Sequence, residues 1–202
     1  METREQQSKE HRAPSLLSTN FCAEINEKSR QLLTVYNPDS QITLCQDEAE
    51  CFFGEHPTLA RINRENRPAT AQALIVAHLL DLSEYCGCRE KITDRQLRQC
   101  AELITSEYYY MKVTELLLFF KRFKCGNYGL FYGAIDPITI MAALRKFAAE
   151  RQDAHARHEN EENRLRLIEE SKSAMSWADY SKCNGIEGKS PTNELAHRMG
   201  VK

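Results

Sequence analysis

The segment from Leu116 to Phe147 constrains the fold of this 202-residue chain more than any other. It reads LLLFFKRFKCGNYGLFYGAIDPITIMAALRKF: an apolar run with a basic end, a bend rich in glycine and aromatic residues, and a second run that begins at Asp136 and Pro137. Aspartate is a favoured helix N-cap, and proline suits the first helical turn because its missing N–H has no partner there. The segment therefore predicts two helices joined by a bend.

The bend contains three glycines. The first is expected to end the preceding helix in the left-handed conformation, with the basic residues of that helix end near the negative pole of the helix dipole. Two of these glycines, with two residues between them, also match the loop with which KH modules clamp nucleic acid, but no sheet is predicted beside them. We assign structural roles to the bend and to the following helix start, at Gly126, Gly129, Gly133, Asp136 and Pro137.

Local signals predict further helices before this segment. Asp47 is a candidate N-cap for a short helix, and Thr93 has Gln96 three residues later, the spacing of a capping box. The stretch Ile42–Leu44 favours a short extended piece. Thr114 is a candidate cap for the apolar helix if that helix begins late.

A longer apolar helix is expected to begin near Pro68, and His78 within it is expected to be a packed core residue rather than a ligand. Together these patterns predict an all-α fold: a compact helical domain, a long C-terminal helix that projects from it, and a flexible tail.

The predicted organisation has four parts. Residues 1–20 form a flexible lead, residues 21–151 a helical domain, residues 152–173 an exposed charged extension of the long helix, and residues 174–202 a flexible tail with short apolar segments. In the extension, opposite charges recur four residues apart, at Asp153–Arg157, Arg157–Glu161, Glu162–Arg166 and Arg166–Glu170. Such pairs support a solvent-exposed helix without a core.

Composition excludes several classes of protein. The formal net charge of −2 argues against a generally cationic nucleic-acid coat. No apolar run approaches the roughly 20 residues of a membrane span, and the first residues lack the apolar core of a secretory signal. We expect no membrane partner, a cytoplasmic location and reduced cysteines. Cys86 and Cys88 are too close for a zinc knuckle, so no metal and no other cofactor is expected.

Positive charge is concentrated around the central segment. Residues 111–151 hold seven basic residues and three acidic ones. Lysine and arginine bind phosphates, and aromatic rings stack on bases. The candidates for nucleic-acid binding are Lys121, Arg122, Lys124, Tyr128, Tyr132, Arg145 and Lys146. The alternative is that the aromatic rings are core and the lysines a solubilising rim. The triplet Tyr108–Tyr110 likewise fits either a stacking platform or a packed corner.

Apolar side chains in the charged extension and the tail indicate a protein partner, because short apolar anchors on flexible segments commonly order on binding. The candidates are Leu165, Ile168, Trp177, Tyr180, Leu195 and Met199. The alternative is that these segments fold back on the protein's own surface. The oligomeric state stays open, and a dimer is one arrangement that the sequence allows.

The run KCGNYGLFYGAIDP at Lys124–Pro137, followed by a helix that ends in FAAER at Arg151, resembles a family of short uncharacterised proteins encoded by phages and mobile elements of Bacteroidetes. The similarity covers about residues 90–151. That family has no established activity, so the resemblance implies a mobile-element origin and transfers no functional residues. The predicted layout is also similar to that of small phage replication accessory proteins such as helicase loaders, which is an analogy of layout alone.

The sequence thus predicts a non-enzymatic helical adaptor that acts in DNA replication or maintenance through protein and nucleic-acid contacts. No Ser-His-Asp, Cys-His or paired-carboxylate arrangement stands out. One alternative is a regulatory module that contacts proteins only. Another is an enzyme that uses a cysteine or a metal, for which His155 and His158 offer two ligands on one helix face without an obvious third.

Overall fold

The computed structural model describes residues 27–66, 69–87, 92–129, 136–175 and 177–185. The chain divides into two compact units, residues 1–152 and 153–202. In the described ranges the only extended pairing is an isolated antiparallel bridge between Thr58 and Lys112. The predicted all-α fold class is therefore confirmed. The helices are α1 (Glu27–Val35), α2 (Gln41–Leu44), α3 (Glu48–Phe53), α4 (Leu59–Glu65), α5 (Thr70–Tyr85), α6 (Asp94–Glu107), α7 (Val113–Lys124), α8 (Pro137–Ser173) and α9 (Trp177–Cys183).

Helix α7 forms the centre of the first unit. Every residue from Val113 to Phe120 is fully buried, so this part of the helix is covered on all sides, as expected of a helix that is apolar all round. Helices α2, α3 and α5 pack against it. Phe147 of α8 completes the aromatic core, with its ring 5.7 Å from that of Phe119 and 6.0 Å from that of Phe52.

Polar side chains fasten α7 to the short helices before it. The Thr114 hydroxyl donates to the carbonyl of Cys51 at 2.9 Å, and the Gln41 amide donates to the carbonyl of Leu117 at 2.9 Å. The Lys112 ammonium donates to the carbonyls of Phe52 and Gly54, each at 2.8 Å. The carbonyls at the end of a helix lack partners within it. The bonds from Thr114 and Lys112 satisfy carbonyls at the end of α3 and hold α3 against the core.

The predicted helix caps at Asp47, Thr93 and Asp136 are confirmed. Asp47 accepts the N–H groups of Ala49 and Glu50, and Thr93 forms the capping box with Gln96. Asp136 accepts the N–H of Thr139 at 2.7 Å. Gly126 ends α7 with a φ of +82°, in the left-handed region that favours glycine.

Two local predictions are wrong. Residues Ile42–Leu44 belong to α2 rather than to an extended piece; the buried Gln41 side chain fixes this turn by its bond to α7, a contact that local propensity does not contain. Thr114 is not the cap of α7, because α7 begins at Val113 and Lys112 occupies the N-cap position. There the carboxylate of Glu115 accepts the Lys112 N–H at 2.8 Å.

His78 is a fully buried core residue, as predicted. Its ring stacks on Phe120 with centroids 5.4 Å apart, and its Nε2 lies 2.9 Å from the carbonyl oxygen of Tyr36. A carbonyl only accepts, so Nε2 carries the proton. The other ring nitrogen, Nδ1, has no hydrogen-bond partner in the described part of the chain. Burial lowers the pKa of His78, and the ring is neutral in the fold.

This geometry predicts a loss of stability in acid. Below the ordinary histidine pKa of about 6.5 the unfolded chain takes up a proton that folded His78 does not, so the free energy of unfolding falls by up to about 1.4 kcal/mol per pH unit from this group. Urea unfolding at several pH values should show this slope in the native chain and a shallower one in His78→Phe, which keeps the stacking. The variants share the other five histidines. Equal slopes would contradict the prediction.

Helix α8 continues to Ser173, where the predicted charged extension also ends, and at 1.5 Å per residue its 37 residues measure about 55 Å. In the second unit it carries exposed ion pairs, but only one matches a predicted pair: Arg166–Glu170, at 3.7 Å. Glu161 pairs with Arg164 instead, at 2.6 Å, and Arg157 donates to the backbone oxygen of Asp153. None of the helices in the described ranges is long and apolar enough to cross a membrane.

Candidate nucleic-acid interface

The basic end of α7 is held in bonds inside the first unit. The Lys121 ammonium donates to the carbonyl of Cys45 at 2.5 Å. The Lys124 ammonium pairs with the carboxylate of Asp81 and donates to the Gln41 side chain at 2.7 Å. The Lys124 side chain is only 15% exposed. Both lysines therefore connect α7 to earlier helices.

Arg122 is the centre of a second cluster. Its guanidinium lies beside the stacked rings of Phe52 and Phe147, 5.8 Å from each centroid. It pairs with Glu48 and, at 2.8 Å, with Glu150. The two carboxylates and the two rings leave this side chain 19% exposed. Its position is explained by packing and charge pairing within the fold.

Tyr128 belongs to the same cluster. Its hydroxyl donates to Glu150 at 3.3 Å, and its ring packs against Phe119 and Phe123. Burial raises the pKa of Tyr128, and the ring is 9% exposed. Nucleic-acid binding by Lys121, Arg122, Lys124 and Tyr128 stays a prediction, and each of them has a structural role. Tyr132 and Gly133 lie outside the described residues.

The tyrosine triplet between α6 and α7 presents a different surface. Tyr109 is 57% exposed and Tyr110 is 37% exposed, and their rings meet edge to face at 5.7 Å and 87°. The backbone beneath them is fixed, because the N–H of Ala60 donates to the Tyr109 carbonyl at 2.9 Å and the N–H of Leu59 donates to that of Met111 at 3.0 Å. Two exposed rings therefore stand on a rigid turn.

Arginines from α8 lie beside these rings. The Arg151 guanidinium lies over the Tyr110 ring, 5.2 Å from its centroid, and is positioned by a 2.7 Å bond to the fully buried Glu115. The Arg145 guanidinium lies near Tyr108: burial raises the pKa of Tyr108, and the positive charge of Arg145 opposes the rise. Lys146, next to Arg145, is exposed.

The structure thus joins two features that the sequence left separate: the tyrosine triplet and Arg145. Sequence reasoning overlooked Arg151. The sequence feature that could have indicated it is Glu115, a single acidic residue in the mainly apolar first turns of α7. A buried carboxylate needs a cationic partner, so Glu115 predicts one nearby. We call Tyr108, Tyr109, Tyr110, Arg145 and Arg151 the tyrosine–arginine corner.

Two groups in the first unit resemble reactive sites. The thiols of Cys45 and Cys51 are both buried, and Cys51 Sγ donates to the carbonyl of Leu44 at 3.6 Å. The neighbouring Cys51 thiol, together with burial, raises the pKa of Cys45. The Tyr36 hydroxyl lies 3.4 Å from Nδ1 of His56, whose Nε2 lies 3.4 Å from Glu50. Burial raises the pKa of Tyr36, which makes this hydroxyl a poorer nucleophile. In the described ranges no group of three or more histidine, cysteine or acidic side chains is arranged to hold a metal.

In the second unit, three aliphatic side chains of α8 are exposed to solvent: Leu165 by 54%, Leu167 by 61% and Ile168 by 38%. Tyr180 in α9 is 45% exposed. Of the other predicted partner contacts, Leu195, Met199 and the side chain of Trp177 lie outside the described residues.

Among the comparisons with known proteins, one gives a match for this chain. No curated protein matches it, and no solved structure does. Residues 91–183 match the model of a family of unknown function (DUF6633). The match covers somewhat less than half of the chain and includes α6, α7, α8 and α9, hence both the tyrosine–arginine corner and the exposed aliphatic side chains. A similarity to a family without a known activity is therefore confirmed for this part of the chain.

Proposed function

We propose that this chain is a non-enzymatic helical adaptor, an accessory protein of a phage or another mobile element that serves DNA replication or maintenance. Its second unit contacts a protein partner, and its first unit contacts nucleic acid. The observation that carries the adaptor function is the exposure of Leu165, Leu167 and Ile168 on a helix that does not bury them within the second unit.

Their energetic value supports a contact with another protein. Burying one leucine or isoleucine side chain contributes about 1.5–3 kcal/mol. The surrounding stretch of α8 is supported by its own ion pairs, Glu161–Arg164 and Arg166–Glu170, which also place charge beside the apolar side chains. An apolar centre with a polar rim is the composition of a protein interface.

The double substitution Leu165→Ser and Ile168→Ser should therefore release the partner. Tagged full-length protein is purified from its own host, and the protein that remains bound is quantified for each variant. We expect at least a tenfold loss for the double variant, since two buried anchors are removed. A second copy of the chain is one candidate partner, which sedimentation of the purified protein detects.

The matched control is Leu103→Ser in the first unit, because Leu103 is 50% exposed and lies in α6. It should retain the partner, and circular dichroism should show unchanged helix content in both variants. Equal retention by the two variants would contradict the proposed contact.

The proposed role in DNA replication or maintenance rests on the resemblance of residues 90–151 to mobile-element proteins, and it can be tested separately. Replication or mobilisation genes beside the coding gene would support it. A neighbourhood made only of unrelated metabolic genes would argue against it and leave the partner contact to the experiment above.

A second candidate function, a module that contacts proteins only, is favoured by one observation. The cations of Lys124 and Arg122 are neutralised by Asp81, Glu48 and Glu150. A gel-shift titration of the full chain with DNA separates the two functions, because phosphate binding weakens steeply as salt rises. Binding that falls with salt supports the nucleic-acid contact, and absence of binding supports the protein-only module.

A further inference from the structure

We propose that the tyrosine–arginine corner binds single-stranded nucleic acid, with a base stacked on the open face of Tyr109 and a phosphate held by Arg145. The inference rests on the nucleic-acid contact of the proposed function and names its site and the class of strand.

The two rings differ in what they offer. Arg151 covers one face of Tyr110 at 5.2 Å, whereas Tyr109 is 57% exposed and meets Tyr110 edge to face. Tyr109 therefore has the larger surface for a ligand. Because its backbone carbonyl is held by Ala60, little conformational entropy is lost when a ligand stacks on it.

The charge beside the rings favours a phosphate. Arg145 lies near Tyr108, and the exposed Lys146 follows it in the chain. Of the acidic residues near the corner, Glu115 is bonded to Arg151 and Glu150 is bonded to Arg122 and Tyr128. Glu107 lies near Tyr108. Arginine and lysine close to aromatic rings form the usual surface for single strands, in which cations follow the backbone and rings receive bases.

Stacking on Tyr109 favours single-stranded over double-stranded nucleic acid. In a duplex the base faces are stacked on one another, and a ring reaches one only if the base leaves the stack. An unpaired strand offers its base faces at no such cost. The corner should therefore prefer a single strand to a duplex of the same sequence.

The chain also contains a matched control for this site. Tyr85 at the end of α5 is 64% exposed, and the Lys124 ammonium lies over its ring at 5.6 Å. That ammonium is paired with Asp81, so the ring has an exposed face beside a neutralised cation. If stacking alone determined the affinity for a single strand, Tyr85 and Tyr109 would contribute equally. If a phosphate must also be bound, only Tyr109 would contribute.

The test is fluorescence anisotropy of the full-length chain with labelled oligo-dT and oligo-rU of about 16 nucleotides and with a duplex of equal length. We expect Tyr109→Ala to weaken single-strand binding about tenfold, the loss typical of one base–aromatic contact. Tyr109→Phe should retain the affinity and Tyr85→Ala should leave it unchanged. Arg145→Ala should weaken binding and reduce the slope of log affinity against log salt by about one. Thermal melts should show that these surface variants are folded.

Three results would overturn the inference. Loss of affinity in Tyr85→Ala equal to that in Tyr109→Ala would remove the corner as the site. A duplex bound as tightly as the single strand, with no effect of Tyr109→Ala, would place the nucleic-acid contact elsewhere and leave the proposed function standing. No salt-sensitive binding of any strand would remove both the site and the nucleic-acid contact; the partner experiment on Leu165 and Ile168 would still test the adaptor function.

Discussion

Arg151→Ala is expected to lower the free energy of unfolding by about 3–5 kcal/mol, because it leaves a buried carboxylate without its countercharge. Glu115 is fully buried in α7, and the Nε atom of Arg151 lies 2.7 Å from its Oε1. The other oxygen, Oε2, accepts the backbone N–H of Lys112 at 2.8 Å, which is no substitute for a full positive charge. Urea unfolding followed by circular dichroism at neutral pH measures the loss.

Two variants give this experiment its controls. Arg166→Ala breaks the exposed pair with Glu170 on the same helix and should leave the stability unchanged within error, since exposed pairs contribute little. The double variant Glu115→Gln with Arg151→Met should regain most of the loss. It removes the buried charge while glutamine still accepts the Lys112 N–H, and methionine fills similar space. A loss in Arg151→Ala no larger than in Arg166→Ala would show that the pair is not buried.

The elements that were predicted correctly are those whose signals lie within one helical turn. Asp47, Thr93 and Asp136 cap helices through N–H groups two or three residues ahead, and Gly126 ends one through its own left-handed backbone. The free energy of such a cap depends on neighbouring residues alone. A single sequence therefore contains what is needed to predict it.

The elements that could not be predicted depend on distant partners. Lys121 is bonded to a carbonyl 76 residues away, and Lys124 to a carboxylate 43 residues away. Spacing along the chain gives no indication of such a partner. The same two lysines next to a glycine bend look, in the sequence, like a phosphate-binding rim.

The tyrosine triplet shows the same limit. Tyr108 is partly buried beside Arg145, while Tyr109 and Tyr110 are exposed. The packed-corner interpretation thus fits Tyr108, and the stacking platform stays a prediction for the two exposed rings. Ala60 and Leu59 of α4 fix the turn that carries them. Only the packing of α4 and α8 around this turn decides which ring faces solvent.

Phe147→Ala is expected to cost about 3–5 kcal/mol of stability, the usual range for removing a buried phenylalanine. The ring is fully buried and contacts Phe52, Phe119 and the Arg122 guanidinium, so the cavity would open between α3, α7 and α8. Ile138→Ala is the control, because this residue of the same helix is 80% exposed and should change the stability by at most about 0.5 kcal/mol.

The same experiment also tests whether α7 and α8 unfold together. If the start of α8 is an integral part of the first unit, Phe147→Ala should shift a single cooperative transition to lower urea, with α7 and α8 unfolding together. A variant that loses helix signal in a separate early step, with the main transition unmoved, would mean that α8 docks on a core that is stable without it. In that case Arg145 and Arg151 would reach the tyrosines only while α8 is docked. The affinity of the corner for a single strand would then fall with the docked fraction, which links the stability of Phe147 to the binding surface it supports.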